Sequence, residues 1–249
     1  MRTAIISDVH ANLEALQAVC RQGDRLGVDS WVCLGDVVGY GADPAACLAR
    51  VRALASAVVL GNHDAAVAGL LDTSHFNAFA RRAVEWTASR LEPDERAWLA
   101  ALPLTQEHGG ALLVHAEPRA PGSWGYVLTE GDAVDALRAT AARHCFVGHS
   151  HQPFVCAVPA GCTPRHGWLQ WLPTGPGPVT LEGDHRYLVN VGSVGQPRDG
   201  DPRACFVLWD DEQACLQFVR TAYDVAAAQA RIVAAGLPAF LAERLASGN

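Results

Sequence analysis

Five stretches share one pattern that restricts the fold more than any other feature: TAIISDVH (residues 3–10), SWVCLGDVV (30–38), AVVLGNHD (57–64), ALLVHAEP (111–118) and HCFVGHSH (144–151). Each opens with a short apolar run, as buried strands do, and closes in Asp, Asn or His. Between the first three lie helical stretches. Residues 12–26 carry Leu13, Leu16 and Val19 to Cys20 on one face, and Asp43 with Pro44 starts a second helix as N-cap and N1. This alternation predicts parallel strands with right-handed crossovers. Ligands of such sheets bind beyond the carboxyl ends of the strands, which is where the polar residues of all five runs fall.

Residues 64–102 read as mostly helical, with Phe76, Phe79, Ala83 and Trp86 on one face and LEPDERAWLAAL as a further short helix. We expect a helical cap near the site. After residue 152 glycine, proline and short β-type runs dominate (FVCAV, WLQWL, PVTLE, RYLVNVG, ACFVLWD, CLQFVR), predicting a second, mostly antiparallel sheet. Two facing sheets with helices outside make a layered α/β sandwich. The tail, AAAQARIVAAGLPAFLAERL, reads as two helices divided at Gly236 and Pro238. With 249 residues, half of them hydrophobic, one domain over 1–249 is expected.

Composition removes several classes of chemistry. All 19 basic residues are arginine, so a Walker-type phosphate loop and Schiff-base catalysis by lysine are both excluded. Neither a G-x-S-x-G elbow nor a G-x-G-x-x-G loop after the first strand is present. The net charge of −7 argues against a stable nucleic-acid complex held by bulk electrostatics. The start lacks a signal-peptide core, no run reaches membrane-spanning length, and the eight cysteines form no C-x-x-C pair. A cytoplasmic protein with reduced thiols and no membrane partner is expected; oligomeric state is not legible.

The strand ends supply Asp8, His10, Asp36, Asn62, His115, His149 and His151: carboxylate, imidazole and amide donors that suit manganese, iron or zinc. Seven ligands are too many for one ion. Two ions about 3.5 to 4 Å apart, bridged by one carboxylate and a solvent oxygen, would use them all and stabilise the attacking and leaving oxygens of an in-line displacement. Two dications outweigh two carboxylates and a bridging hydroxide, leaving a positive site that attracts phosphate within an acidic protein. Gly35, Gly61 and Gly148 precede three ligands, where the backbone must turn tightly beside the ions.

The ordered set Asp8-x-His10, Gly35-Asp36, Gly61-Asn62-His63-Asp64, His115 and Gly148-His149-Ser150-His151 resembles the calcineurin-like binuclear metallophosphoesterases. GDVVGYGADP and NVGSVGQPRDGDPRA are similar to a small, single-domain bacterial branch. The resemblance implies a four-layer α/β sandwich and hydrolysis of phosphomonoesters or phosphodiesters, nucleotides included, by direct attack of a metal-bridging hydroxide. The first ion would take Asp8, His10, Asp36 and His151; the second would share Asp36 and add Asn62, His115 and His149. His63 would stabilise the transition state or protonate the leaving alkoxide, with Asp64 orienting it. Manganese is the expected ion, with iron, zinc, nickel or magnesium as alternatives. Glu117 and Val191 depart from the usual pattern; Glu117 would either put a negative charge near the pocket rim or point away.

Other readings compete. A protein serine/threonine phosphatase or a dinucleoside polyphosphate hydrolase would use the same centre, and a non-catalytic scaffold would not need the His63-Asp64 pair. Arg198 is the candidate phosphate-facing residue, with a surface salt bridge as the alternative. His75, His108, His144, His166 and His185 are given no function, and Trp168 and Trp171 are assigned to packing. Substrate choice is expected to rest on the cap and on loops around 117–126 and 192–201.

Overall fold

The computed structural model describes residues 1–165, 169–172 and 174–249. His166 and Trp168 lie outside the described residues. The chain runs β1 (Arg2–Ile6), α1 (Leu13–Leu26), β2 (Ser30–Cys33), α2 (Pro44–Leu54), β3 (Ala57–Val58), α3 (Asn62–Val67), α4 (Ala78–Ala88), α5 (Pro93–Ala100), β4 (Thr105–His108) and β5 (Ala111–Val114). It continues with α6 (Glu130–Arg138), β6 (His144–Val147), β7 (Phe154–Pro159), β8 (Gln170–Leu172), β9 (Val179–Thr180), β10 (His185–Asn190), β11 (Ala204–Asp210), β12 (Cys215–Thr221), α7 (Val225–Ala234) and α8 (Ala239–Glu243).

Two six-stranded sheets form, in the orders β3-β2-β1-β11-β12-β9 and β4-β5-β6-β10-β7-β8. β1, β2 and β3 are parallel, as are β5, β6 and β10, while β11 is antiparallel to β1 and β7 to β10. The inner faces meet through Ile5, Val32, Leu34 and Val207 of one sheet and Leu113, Phe146, Val155 and Val189 of the other. Helices α1 and α2 cover one outer face with Leu16, Val19, Leu48 and Val51, and α6 covers the other with Val134 and Leu137. The fold is the expected four-layer α/β sandwich.

The strands after residue 152 correct one expectation. They do not make a second, antiparallel sheet: β9, β11 and β12 complete the sheet that β1 begins, while β7, β8 and β10 join the one built on β5 and β6. The reason is burial. All seven residues of β11 are buried, so this strand needs a partner on each edge, and β1 and β12 supply them. Trp171 packs within its sheet as expected: it sits on edge strand β8, edge-on to Phe154.

Helix α1 begins where the Asn12 side chain accepts from Ala15 N, and it stops at Gly27, whose φ of 67° closes the last turn. Helix α2 does start at Pro44 after Asp43, but the Asp43 carboxylate bonds Arg231 of α7 instead of capping. The tail divides as read, into α7 and α8. These helices and the turn after them pack Ile232, Leu241 and Leu245 against Ala80 and Ala83 of α4 and against Tyr40.

Candidate metal centre

Asp8 and His10 follow the end of β1, Asp36 that of β2, His115 that of β5, and His149 and His151 that of β6, while Asn62 and His63 open α3 just after β3. Because the two sheets face each other, the five ends converge. One trio, Asp8, His10 and His151, and a second, Asp36, His115 and His149, each hold ligand atoms within 4.8 Å of one another, and all six residues are buried. Asp36 Oδ2 lies 3.4 Å from His115 Nε2 in its own trio and 3.7 Å from His10 Nε2 in the other. Asn62 Oδ1 joins the second trio 3.2 Å from His115 Nε2.

The imidazoles are oriented by carbonyls. His10 Nδ1 lies 3.2 Å from Val38 O, His115 Nδ1 2.8 Å from Leu34 O, and His151 Nδ1 2.5 Å from Gln196 O. A carbonyl only accepts, so each Nδ1 carries the proton, and in the neutral rings of His10 and His151 Nε2 presents a lone pair. His149 has the opposite tautomer: its Nε2 donates to Trp124 O at 3.0 Å, leaving Nδ1 bare. The inward nitrogens of His10, His149 and His151 are therefore acceptors, while His115 Nε2 lies 3.4 Å from Asp36 Oδ2 and 3.2 Å from Asn62 Oδ1. His10 Nε2 faces His151 Nε2 at 3.2 Å, and buried Asp8 Oδ1 has no hydrogen-bond donor. Burial pulls His10 and His151 below the ordinary range and His149 to about 3, so these rings are neutral at pH 7. For His115, burial is overcome by the charges of Asp36 and Asp8 and the pull of Leu34 O, which raise it to about 9. Lone pairs of three neutral rings converging around two carboxylates fit a pair of cations, whose binding would displace the proton from His115 Nε2.

Backbone strain is concentrated at the same place. Asp8, His10, Asp36, His149 and His151 all have φ between 47° and 66°, the left-handed region that bulky residues avoid. Hydrogen bonds hold these turns: His10 N to Asp36 O at 2.9 Å, His149 N to Asp8 Oδ2 at 3.1 Å, and His63 N to Asp36 Oδ1 at 2.8 Å. At Gly61 a Cβ would collide with the Asp36 carboxylate and amide, and at Gly148 with Ser7 and Asp8.

His63 is buried between Tyr40 and Phe76, with ring centroids 4.4 and 5.1 Å away, and burial lowers it to about 4. Asp64 departs from expectation. Its carboxylate accepts from the amides of Val37 and Val38 at 3.2 and 3.1 Å, and from Gly61 N at 3.4 Å, while His63 Nδ1 has no partner. Three amides outcompete one imidazole, so Asp64 fixes the loop that carries Asp36 and does not orient His63. Glu117 points away from the ligands. Its carboxylate accepts from the amides of Arg119 and Ala120 at 3.1 and 3.0 Å.

Arg198 reaches the site. Its guanidinium lies 5.9 Å from the Tyr40 ring, Nη2 bonds Gln196 Oε1 at 2.9 Å, the Tyr126 hydroxyl is a further partner, and buried Nε has none. Beside the ligands opens a cleft of about 510 Å3, lined by Tyr40, Phe76, Trp124 and Tyr126 together with Asn62 and His149. His75, which had been given no function, also lines this cleft.

Sequence reasoning missed several supporting residues. Asn190 Nδ2 donates to Gly148 O and Ser150 Oγ, and its Oδ1 accepts from Gly192 N, which anchors the loop that carries Val191. Ser193 Oγ donates to Asp8 O at 2.9 Å. Tyr126 stacks on His149 with centroids 4.0 Å apart. The NVGS run pointed to the first two; nothing in the sequence singles out Tyr126.

Residues 1–213 match the family model described as the calcineurin-like phosphoesterase superfamily domain. An uncharacterised protein of Methanocaldococcus jannaschii is 37% identical over 250 residues, covering 99% of this chain and 98% of that protein. A metallophosphoesterase structure from Sphaerobacter thermophilus superposes with a TM-score of 0.87 at 39% identity, covering 100% of this chain and 99% of that one. A hypothetical protein from Pyrococcus horikoshii shares the fold with a TM-score of 0.79 at 18% identity, covering 100% and 98%. With the family model spanning most of its length and a relative matching it end to end, this chain belongs to the calcineurin-like phosphoesterase superfamily.

Proposed function

We propose that the protein hydrolyses phosphomonoesters or phosphodiesters with two divalent ions, manganese foremost. The observation that carries this reading is the position of Asp36 Oδ2, within reach of a histidine from each trio. Asp8, His10, Asp36 and His151 would hold one ion, and Asp36, Asn62, His115 and His149 the other. Such ions supply Lewis acidity and a water acidic enough to attack phosphorus near neutral pH.

The chain's own residues do the rest. His63, neutral at pH 7 because burial holds it near 4, donates a hydrogen bond to an ester oxygen as charge grows there. Asp64 keeps the Asp36 loop in its strained turn through the amides of Val37 and Val38. Arg198, between Tyr40 and Tyr126, presents a permanent positive charge to a phosphate oxygen. The eight free thiols, six of them buried, fit the reducing cytoplasm expected for the chain.

The test is hydrolysis of p-nitrophenyl phosphate and bis-p-nitrophenyl phosphate by metal-stripped protein, before and after manganese is added, with Asp36→Asn as control. Activity that returns with the metal and is abolished by the substitution supports the reading. Turnover that is indifferent to metal or to Asp36 overturns it.

A further inference from the structure

The 191–203 loop joins β10 to β11 without helix or strand, and it carries Arg198, Asp199, Asp201 and Arg203 in close succession. It is tied to the metal centre through Gln196 O, which accepts from His151 Nδ1, and through Arg198 N, which donates to His151 O at 3.3 Å. Its charges are shared out unevenly. Asp201 pairs with Arg203, whose Nε lies 3.0 Å from Oδ1 and whose Nη2 lies 2.6 Å from Oδ2. Asp199 pairs with Arg220 of β12: Nη1 bonds Oδ1 at 3.3 Å, Nη2 bonds Oδ2, and the two side chains are only 19% and 21% exposed. Arg220 also donates to Arg203 O at 3.4 Å and lies 3.9 Å from Asp201 Oδ2. Arg198 goes to Tyr40 instead. Its hydrogen-bond partners are neutral, Gln196 Oε1 and the Tyr126 hydroxyl, and among the described residues it pairs with no carboxylate.

From this division of charge we infer that Arg220 is a positioning residue for the phosphate site: it takes up the Asp199 carboxylate, so that Arg198, the next residue in the chain, stays free for an anion. The inference rests on the proposed hydrolase reading, in which Arg198 meets a phosphate oxygen, and adds a residue to it. The surroundings of Arg198 are positive. Burial, and after it the charge of Arg198, lowers Arg244 in the turn after α8 to about 10, and two divalent ions would add to the field. A loose carboxylate in an irregular loop beside Arg198 is drawn to that field and occupies the donors a phosphate needs. Arg220 is built to prevent this, because it grips Asp199 through two nitrogens, is mostly covered, and is itself fixed on the Arg203 carbonyl. Bracing the loop is the competing role for the same ion pair. A brace fails when either partner is removed, whereas a competing carboxylate does harm only when Arg220 is removed and Asp199 stays.

Calorimetric binding of inorganic phosphate to manganese-loaded protein separates the two roles without requiring turnover. Arg220→Gln is expected to weaken phosphate about fivefold, Asp199→Asn to stay within about twofold of the wild type, and the double variant to return to that level. Arg198→Gln alone should cost about tenfold, and adding Arg220→Gln to it no more than about twofold further, because the freed carboxylate then has no arginine to take. A loss in Asp199→Asn equal to that in Arg220→Gln overturns the proposal and marks the pair as a brace. A double variant that stays as weak as Arg220→Gln, a larger added loss on the Arg198→Gln background, or an Arg220→Gln protein with wild-type affinity overturns it as well. Phosphate binding that is absent from the wild type, or indifferent to Arg198→Gln, overturns both the proposal and the role given to Arg198, and leaves metal-dependent ester hydrolysis to its own test. The expected pattern in a protein that hydrolyses no ester with its metals loaded would sink the hydrolase reading and not the role of Arg220.

Discussion

At the scale of single residues, the centre depends on groups that have no alternative partner. His63 Nδ1 has no hydrogen bond, and a Cβ on Gly39 would come within 2.6 Å of it, so the ring is held by shape. His63→Gln is expected to lower kcat about 10²- to 10⁴-fold while leaving two metals per chain by elemental analysis; a loss of metal would move His63 from catalysis to assembly. Gly61 has φ −95° and ψ 166°, which alanine accepts, so only the space beside Asp36 forbids a side chain there. Gly61→Ala should therefore reduce bound metal below two equivalents in a folded protein, read by elemental analysis beside circular dichroism. His144, remote from the centre, packs between Tyr187 and Trp209, and burial lowers it to about 4. Its folded value is depressed, so its contribution to stability is complete above the unfolded value of about 6.5 and is lost as pH falls towards 4. His144→Phe should therefore lose less of its urea midpoint than the wild type between pH 7.5 and 5; equal losses would mean that His144 takes up no proton on unfolding.

At the scale of elements, packing overrules local propensity. Gly23 lies inside α1, where alanine would favour the helix by about 1 kcal/mol. A Cβ there would run into the Trp31 ring on the neighbouring strand. Gly23→Ala is expected to destabilise by about 1 to 3 kcal/mol in urea unfolding, because overpacking exceeds the propensity gain. The α1, α2 and tail helices were legible from apolar spacing and from Pro44 and Gly236; the Asn12 cap was not. The hairpin of β4 and β5 was not: TQEH carries no apolar run, and its pairing with ALLV is set by the Gly109-Gly110 turn and by β6 on the other side.

At the scale of the whole molecule, the centre ties the two sheets together, since Asp8 and Asp36 come from one and His115, His149 and His151 from the other. Metal loading should therefore raise the thermal midpoint, by mass action amounting to about 4 kcal/mol at a thousandfold excess over Kd, and a chelator should reverse it. An unchanged midpoint with both ions bound would show that the sheets do not rely on the metals. Among the described residues, no helix is long and apolar enough to cross a membrane.

The strand-end positions of the candidate ligands, the parallel strands and the outer helices were determined by the sequence alone, because strand-end chemistry and apolar periodicity are local properties that each run carries in its own residues. Tertiary structure decided how the late strands were shared between the sheets, that Asp64 serves the Asp36 loop and not His63, and that Tyr126 and Phe76 face one cleft. Those outcomes depend on which groups, far apart in the chain, come within reach of one another, and only the packed sheets set those distances.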